Sequence, residues 1–344
     1  METLCSFLQI SRNMCQGNQS TISEFLFLGL SDQAEQQKLL FVLFLGMYLA
    51  TVVGNWFIIL AISFDSYFHI PMYLFLANLS FDDISSISTP IPKMLINIQT
   101  NSQSISYTSC ITQIHFSIVF AIVDNFLLGV MAYDHFVAVC HPLNYTTIMQ
   151  PKLCILLTVT PWVLSNIIAL THTLLLLQLC FCDNSTLLHF FCDLDPLLKL
   201  SCSDTMSNEL VLFITTHVIY HNVGSVIITF PFALILFYVC IVRAVLRISS
   251  TEGKWKTFST CASHLTVVLL FYGTIVGVYF FPLLIHPNNR YEIGVVLFTV
   301  ITPMVNPFFY SLRNKDTQGA LRKFIHGKSF LPLMPWASEL HLFP

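Results

Sequence analysis

Seven apolar runs divide this chain, each near or above the roughly twenty residues that a helix needs to cross a bilayer. They cover residues 39–62, 71–96, 110–139, 153–177, 210–246, 258–284 and 291–312. The fifth is too long for one span and is expected to extend past the membrane at both ends. Composition agrees: 55% of the residues are hydrophobic and only 10% charged, with mean hydropathy +0.72. Soluble domains carry about 25% charged residues, so this chain lacks the polar surface to stay in water. The net charge of −3 is too small to argue for a nucleic-acid partner. Residues 1–38 are polar and mixed, without a basic start leading into an apolar core, and do not read as a cleavable signal peptide. The expected fold is an all-α membrane protein: a seven-transmembrane helix bundle over 39–312, an extracellular N-terminal segment 1–38 and a cytosolic tail 313–344.

Orientation follows from lysine and arginine. Lys152, Arg243, Arg247, Lys254, Lys256, Arg313, Lys315, Arg322, Lys323 and Lys328 fall on the side of the C-terminus; Arg12, Lys38, Lys93, Lys199 and Arg290 fall on the other. Ten against five places the C-terminus in the cytosol. The sequons at Asn18 and Asn184 then lie outside, where glycosylation is expected, whereas those at Asn78 and Asn144 should stay bare. Among the 11 cysteines, Cys140, Cys154, Cys240 and Cys261 fall in the cytosolic half, where thiols stay reduced. Cys110 opens the third run on the outside, and Cys180, Cys182, Cys192 and Cys202 lie in or beside the long outer loop, with His189 among them. A Cys/His metal cluster is one reading of that loop. Disulfides are favoured because it faces an oxidising compartment, but spacing alone does not give their connectivity.

Polar groups inside the apolar runs need partners. Asn55 follows Gly54 in the first run, Asp83 lies deep in the second beside Asp82, Asp124 lies in the third, and Asn306-Pro307 lies near the end of the seventh. Carboxylates and amides in one bundle can share a cation or form a neutral hydrogen-bonded cluster. Where the third run ends, Asp134 and His135 stand side by side in MAYDHFVAVCHPL, followed by a proline that stops the helix. Such charges can be simple helix-end anchors. A basic rim of Arg243, Arg247, Lys254 and Lys256 joins the fifth and sixth runs.

Several stretches, in order, resemble one family. MAYDHFVAVCHPLNYTTIM is similar to the cytoplasmic end of the third helix of olfactory receptors, within the rhodopsin-like G-protein-coupled receptors. LCFCDNSTLLHFFCDLDPLLKLSCSDT looks like their second outer loop, and GKWKTFSTCASHLTVV and PMVNPFFYSLRNKDTQGALRKF look like their sixth and seventh helices. The likeness covers roughly residues 20–328. By it Cys110 pairs with Cys192 and Cys182 with Cys202, leaving Cys180 over. It implies a sodium-sensitive polar core at Asn55, Asp83 and Asp124, a short cytosolic amphipathic eighth helix, and no further cofactor or metal. The switch positions are Asp134, His135, Phe136, Tyr238, Asn306, Pro307 and Tyr310. The chain departs from the family at two of these, with His135 for the usual Arg and Phe136 for the usual Tyr. Asp82 replaces an apolar residue and Phe237 a Ser.

The resemblance implies an odorant receptor in the plasma membrane, binding a small, mostly hydrophobic volatile ligand and activating a stimulatory olfactory-type heterotrimeric G protein. Positions matching the family's ligand-facing sites are Ser117, Ile118, Ala121 and Ile122; Asn222 and Val226; Tyr272, Ile275 and Tyr279; and Thr299. Packing is the alternative role for each singly. An Arg at 135 stays charged and presents five donors, whereas His offers at most two and is shorter, so coupling is expected to suffer. A receptor-like protein that signals poorly is the alternative. More remote are a transporter, for which internal repeats and paired broken helices are missing, and an intramembrane hydrolase, for which Asp134-His135 beside Cys140 has no third orienting group.

Overall fold

The computed structural model describes residues 23–27, 34–64, 71–181, 186–187, 191–203, 205–211, 239–246, 250–279 and 296–311. Its long helices are α1 (Ala34–Phe64), α2 (Pro71–Ser88), α3 (Ile91–Thr100), α4 (Tyr107–Cys140) and α5 (Pro151–Leu176). The short α6 (Leu194–Lys199) lies in the loop after α5, followed later by α7 (Thr251–Tyr279) and α8 (Thr302–Ser311). At 1.5 Å per residue, α4 with its 34 residues is about 50 Å long, longer than a bilayer's hydrocarbon core of about 30 Å. Glu35–Ser63, Tyr107–Cys140 and Pro151–Leu176 are each long and apolar enough to cross a membrane. Of the fifth run only its ends, 206–211 and 239–246, are described, and both are helical.

The faces of α5 show which solvent the bundle is built for. Cys154, Thr158, Pro161, Ser165, Ala169 and His172, three or four residues apart, are buried. Ile155, Val159, Val163, Ile167 and Leu170 are exposed on the opposite side. An aqueous helix puts its apolar stripe inward. Here small and polar residues face the neighbours while the aliphatic ones face out, as lipid requires, because small residues let helices approach closely.

The run 71–96 is not one helix, as hydropathy suggested. It ends at Ser88 and restarts at Ile91, because Pro90 has no N–H to donate and its ring disfavours a helical residue before it. The break frees the Thr89 carbonyl, which accepts a hydrogen bond from Gln113 Nε2 of α4 at 3.0 Å. Gln113 Oε1 accepts from the Cys192 N–H at 2.8 Å, so one side chain joins the α2–α3 break, α4 and the loop after α5. α3 runs on to Thr100 and closes on Asn101, held in the left-handed region at φ 50°, a conformation that Asn tolerates well.

A small sheet caps this end. β1 (Glu24–Phe27) pairs antiparallel with β2 (Ser104–Ser106) and parallel with β3 (Thr186–Leu187). Phe25 is fully buried, its ring edge-on to Phe181 at 5.5 Å and tilted against Tyr107 at 6.1 Å. Part of the N-terminal segment is therefore built into the domain. The disulfide Cys110–Cys192 (S–S 2.01 Å) ties the start of α4 to the loop across 82 residues. In the chain-entropy view such a closure is worth about 4–5 kcal/mol. Cys202 is disulfide-bonded too, and so is Cys180, which the resemblance left over; Cys182 lies outside the described residues.

At the other contact that fixes the bundle, α1 meets α8. Pro307 lacks the N–H that would bond the carbonyl four residues back, on Pro303. Asn55 Nδ2 supplies the missing donor at 3.2 Å, while also bonding its own helix at Thr51 O, 3.1 Å. Gly54 makes this approach possible, since a Cβ there would lie 3.1 and 3.2 Å from the Cβ and Cγ of Pro307. Gly46 on the same helix has nothing within 4 Å of such a Cβ. Gly54→Val should therefore lower stability by about 1–3 kcal/mol through overpacking, seen as a lower thermal midpoint in detergent. Gly46→Val should shift it by no more than about 0.5 kcal/mol. Equal effects at the two glycines would refute the contact.

Candidate functional site

Three groups of polar side chains lie inside the bundle. The first is the acidic core. Asn306 Nδ2 of α8 donates to both oxygens of Asp83 on α2, at 2.9 and 3.0 Å. Asp82, fully buried on the next position of the same helix, turns instead to Asp124 of α4 and sits within hydrogen-bonding reach of its carboxyl group. Among the described residues neither oxygen of Asp82 meets an N–H or O–H donor. Two carboxyl groups in contact without a donor between them need a shared proton or a cation. Of the expected polar core, Asp83 is thus joined to Asn306, Asp124 to Asp82, and Asn55 to α8. Asp82 has found its helix partner.

The second group lines α4 nearer the capped end. Ser117, Ile118 and Ala121 are partly buried and Ile122 is buried. Ile118 packs against both the central apolar cluster and the one beneath the sheet. Tyr272 of α7, expected to face a ligand, donates its hydroxyl to Asn125 Oδ1 of α4, and so serves as a cross-helix bond. Asn125, next to Asp124, went unnoticed in the sequence; its only signal was an amide within an apolar run. Ile275 and Tyr279 lie on α7, and Thr299, partly buried, lies on the π-helical turn Leu297–Ile301 before α8. Asn222 and Val226 lie outside the described residues.

The third group closes the opposite end of α4. The helix stops at Cys140, before His141-Pro142. A turn later Tyr145, in the short helix Tyr145–Ile148, donates its hydroxyl to Asp134 Oδ1 at 2.8 Å. Burial, with the charge of Asp134 and this hydrogen bond, pushes the Tyr145 phenol above its ordinary range, so it remains a donor. The resemblance suggested that Asp134 pairs with residue 135 beside it. Instead Asp134 bonds Tyr145, and the one salt bridge among the described residues is Lys38–Glu35 on the surface of α1. The reason is geometric: consecutive residues on a helix do not face one another.

His135 turns to α7. Its ring lies 5.1 Å, centre to centre, from that of His264, with the planes at 68°, and both residues are buried. His264 also bonds the backbone of Leu128 on α4. Phe136 is half-buried, its ring edge-on to His141 at 5.5 Å. Cys140, Cys154, Cys240 and Cys261 are free thiols, and Cys140 and Cys261 belong to one apolar cluster with Ile241 and Val245. Tyr238 lies outside the described residues, as do Asn18 and Asn184; Tyr310 lies on α8. Among the described residues no group of three or more His, Cys, Asp or Glu side chains is arranged to hold a metal ion.

Comparison with known proteins places this architecture. Residues 44–328 match the family model described as olfactory receptor. The chain is 71% identical to human Olfactory receptor 1S1 over 95% of its own length and 99% of the relative's. It is 54% identical to rat Olfactory receptor 1f45 over 91% and 97%. Among solved structures it is similar to squid rhodopsin, with TM-score 0.64 over 86% of this chain and 87% of that one. At 14% identity that likeness speaks for the fold alone. The fold is the seven-transmembrane helix bundle, in a multi-pass membrane protein whose relatives are receptors and not enzymes. The chain belongs to the olfactory receptor family.

Proposed function

We propose that this chain is an odorant receptor in the plasma membrane, with its N-terminus outside, that takes a small, mostly hydrophobic volatile ligand in the outer half of the bundle. It acts on a stimulatory olfactory-type G protein from the cytosolic side, weakly because of His135. A ligand shifts such a bundle only by its differential affinity for the two packings. The positions assigned to the cavity carry no fixed charge and few polar groups, the make-up of a site for a neutral compact molecule. The Cys110–Cys192 bond and the sheet hold the outer end together around them. Glycans belong on Asn18 and Asn184. A sodium ion, or a proton, belongs between the carboxyl groups of Asp82 and Asp124, beside Asp83.

The observation that carries weak coupling is the arrangement around His135. Asp134 is held by Tyr145 and His135 is turned onto His264 of α7. A shorter, two-donor ring cannot make the contacts that a rigid five-donor fork makes to Tyr238 and a partner protein. A second reading, a receptor that binds odorant without signalling, rests on the same contact.

Two measurements check these readings. His135→Arg, at matched surface expression, should raise maximal odorant-evoked cyclic AMP. A charge-assisted hydrogen bond is worth about 1.5–3 kcal/mol, so the gain should be roughly tenfold or more. A wild type that already signals as strongly as the Arg form contradicts weak coupling. In the Arg background, Asn222→Ala and Tyr279→Phe should weaken responses to oxygenated odorants more than to hydrocarbons, by about 1 kcal/mol for a lost hydrogen bond. Equal loss for both ligand types, or none, counts against the cavity.

A further inference from the structure

We propose that Asn125 is a specificity-determining residue at the floor of the odorant cavity, where its amide N–H group selects ligands carrying a carbonyl oxygen. The inference rests on the odorant reading above and takes it further, to one residue and one functional group. Asn125 lies near the middle of α4, about one turn beyond Ala121 and two turns beyond Ile118. At that spacing the three share one side of the helix, and all three are only partly buried. Phe116, exposed on the outside of the bundle, lies opposite: nine residues separate it from Asn125, about two and a half turns. The partly accessible stripe therefore faces the interior, not the lipid. Beyond Asn125 the helix closes at Leu127, Leu128 and Met131, all buried, which makes Asn125 the deepest member of the stripe.

The chemistry follows from the amide's two ends. An asparagine carries an accepting oxygen and a donating nitrogen, and a half-turn of the amide exchanges them. Here the Tyr272 hydroxyl of α7 donates to Asn125 Oδ1, which engages the accepting end and leaves the donating end to the cavity. Among the described residues Nδ2 makes no hydrogen bond. A donor left unmade in an apolar interior is costly, so a ligand that brings an acceptor removes that cost as well as gaining a bond. Ile118 and Ala121, the neighbours on the stripe, offer no polar group of their own. A neutral carbonyl compound fits this floor. A hydrocarbon of the same shape leaves the amide N–H unpaired. Tyr272 is then a positioning residue, acting through the orientation of Asn125.

The test is ligand-dependent thermal unfolding of the purified full chain in lipid nanodiscs. The probes are straight-chain and cyclic ketones, each paired with the alkene in which a methylene group replaces the carbonyl oxygen. A molecule that binds the folded state raises the midpoint with its concentration, which yields an apparent affinity. Wild type should prefer a ketone to its alkene by about tenfold, the loss expected for an unpaired buried donor. Asn125→Leu should bind the two alike. Comparing the ketone-to-alkene ratio between variants cancels the partition of each probe into lipid. Tyr272→Phe breaks the same bond between helices but keeps the amide, so the preference should shrink without vanishing. Should Asn125→Leu fail to fold, Asn125→Ala, which only shortens the side chain, replaces it. A preference that survives the loss of the Asn125 amide, or a wild type that binds ketone and alkene equally, would overturn the site while leaving odorant binding intact. A wild type that binds none of the probes would overturn the odorant reading and this site with it.

Discussion

Everything in this bundle follows from one constraint: inside a membrane a polar group must find its partner within the protein. The clearest case is the carbonyl of Pro303. Pro307 lies four residues on and has no hydrogen to give, so α8 leaves one acceptor without its helical donor. Asn55 answers it from α1, and only because Gly54 lets the two helices touch. The same logic repeats at the Thr89 carbonyl, exposed by Pro90 and filled by Gln113. At Pro307 and Pro90 the interrupted helix thus offers a docking point for an amide on another one. The prolines, far from being defects, specify which helices meet.

The acidic centre is the converse problem, acceptors without donors. Asp83 is satisfied by Asn306, but Asp82 adds a second carboxyl against Asp124 with no donor between them among the described residues. A bundle tolerates this only by keeping a proton or an ion there. The lower end of α4 pairs its polar groups with other elements as well. Asp134 turns to the Tyr145 hydroxyl and His135 to a second histidine, so α4 and α7 meet here by ring contact.

Much of this was legible in the sequence, and what was not has a physical cause. Hydropathy located α1, α4 and α5 closely, since burial in lipid is a local property of a run. The wording around residues 131–149 and 179–205 points to the family. The break after Ser88 was missed although Pro90 is visible, because prolines inside spans are often tolerated, as Pro161 is in α5. The partners of Asp82, Gln113, Asn125 and Asp134 could not be read at all. Each lies on another helix or in a following turn, and nothing local in a sequence says which way a side chain points across a bundle. Residues 24–27 fall in the polar N-terminal segment, where four residues are too few to show alternation, and their pairing with 104–106 and 186–187 is wholly non-local.

Under the proposed function, the His135–His264 contact keeps α4 and α7 together at the end where a G protein would enter. Electron–electron distance measurement, with spin labels on non-natural residues near the His135 ends of both helices, tests it directly. In nanodiscs with a G-protein α-subunit peptide, wild type should show one short distance, unchanged by the peptide, while His264→Ala should gain a longer population. A wild type that opens as far as the variant would contradict the claim.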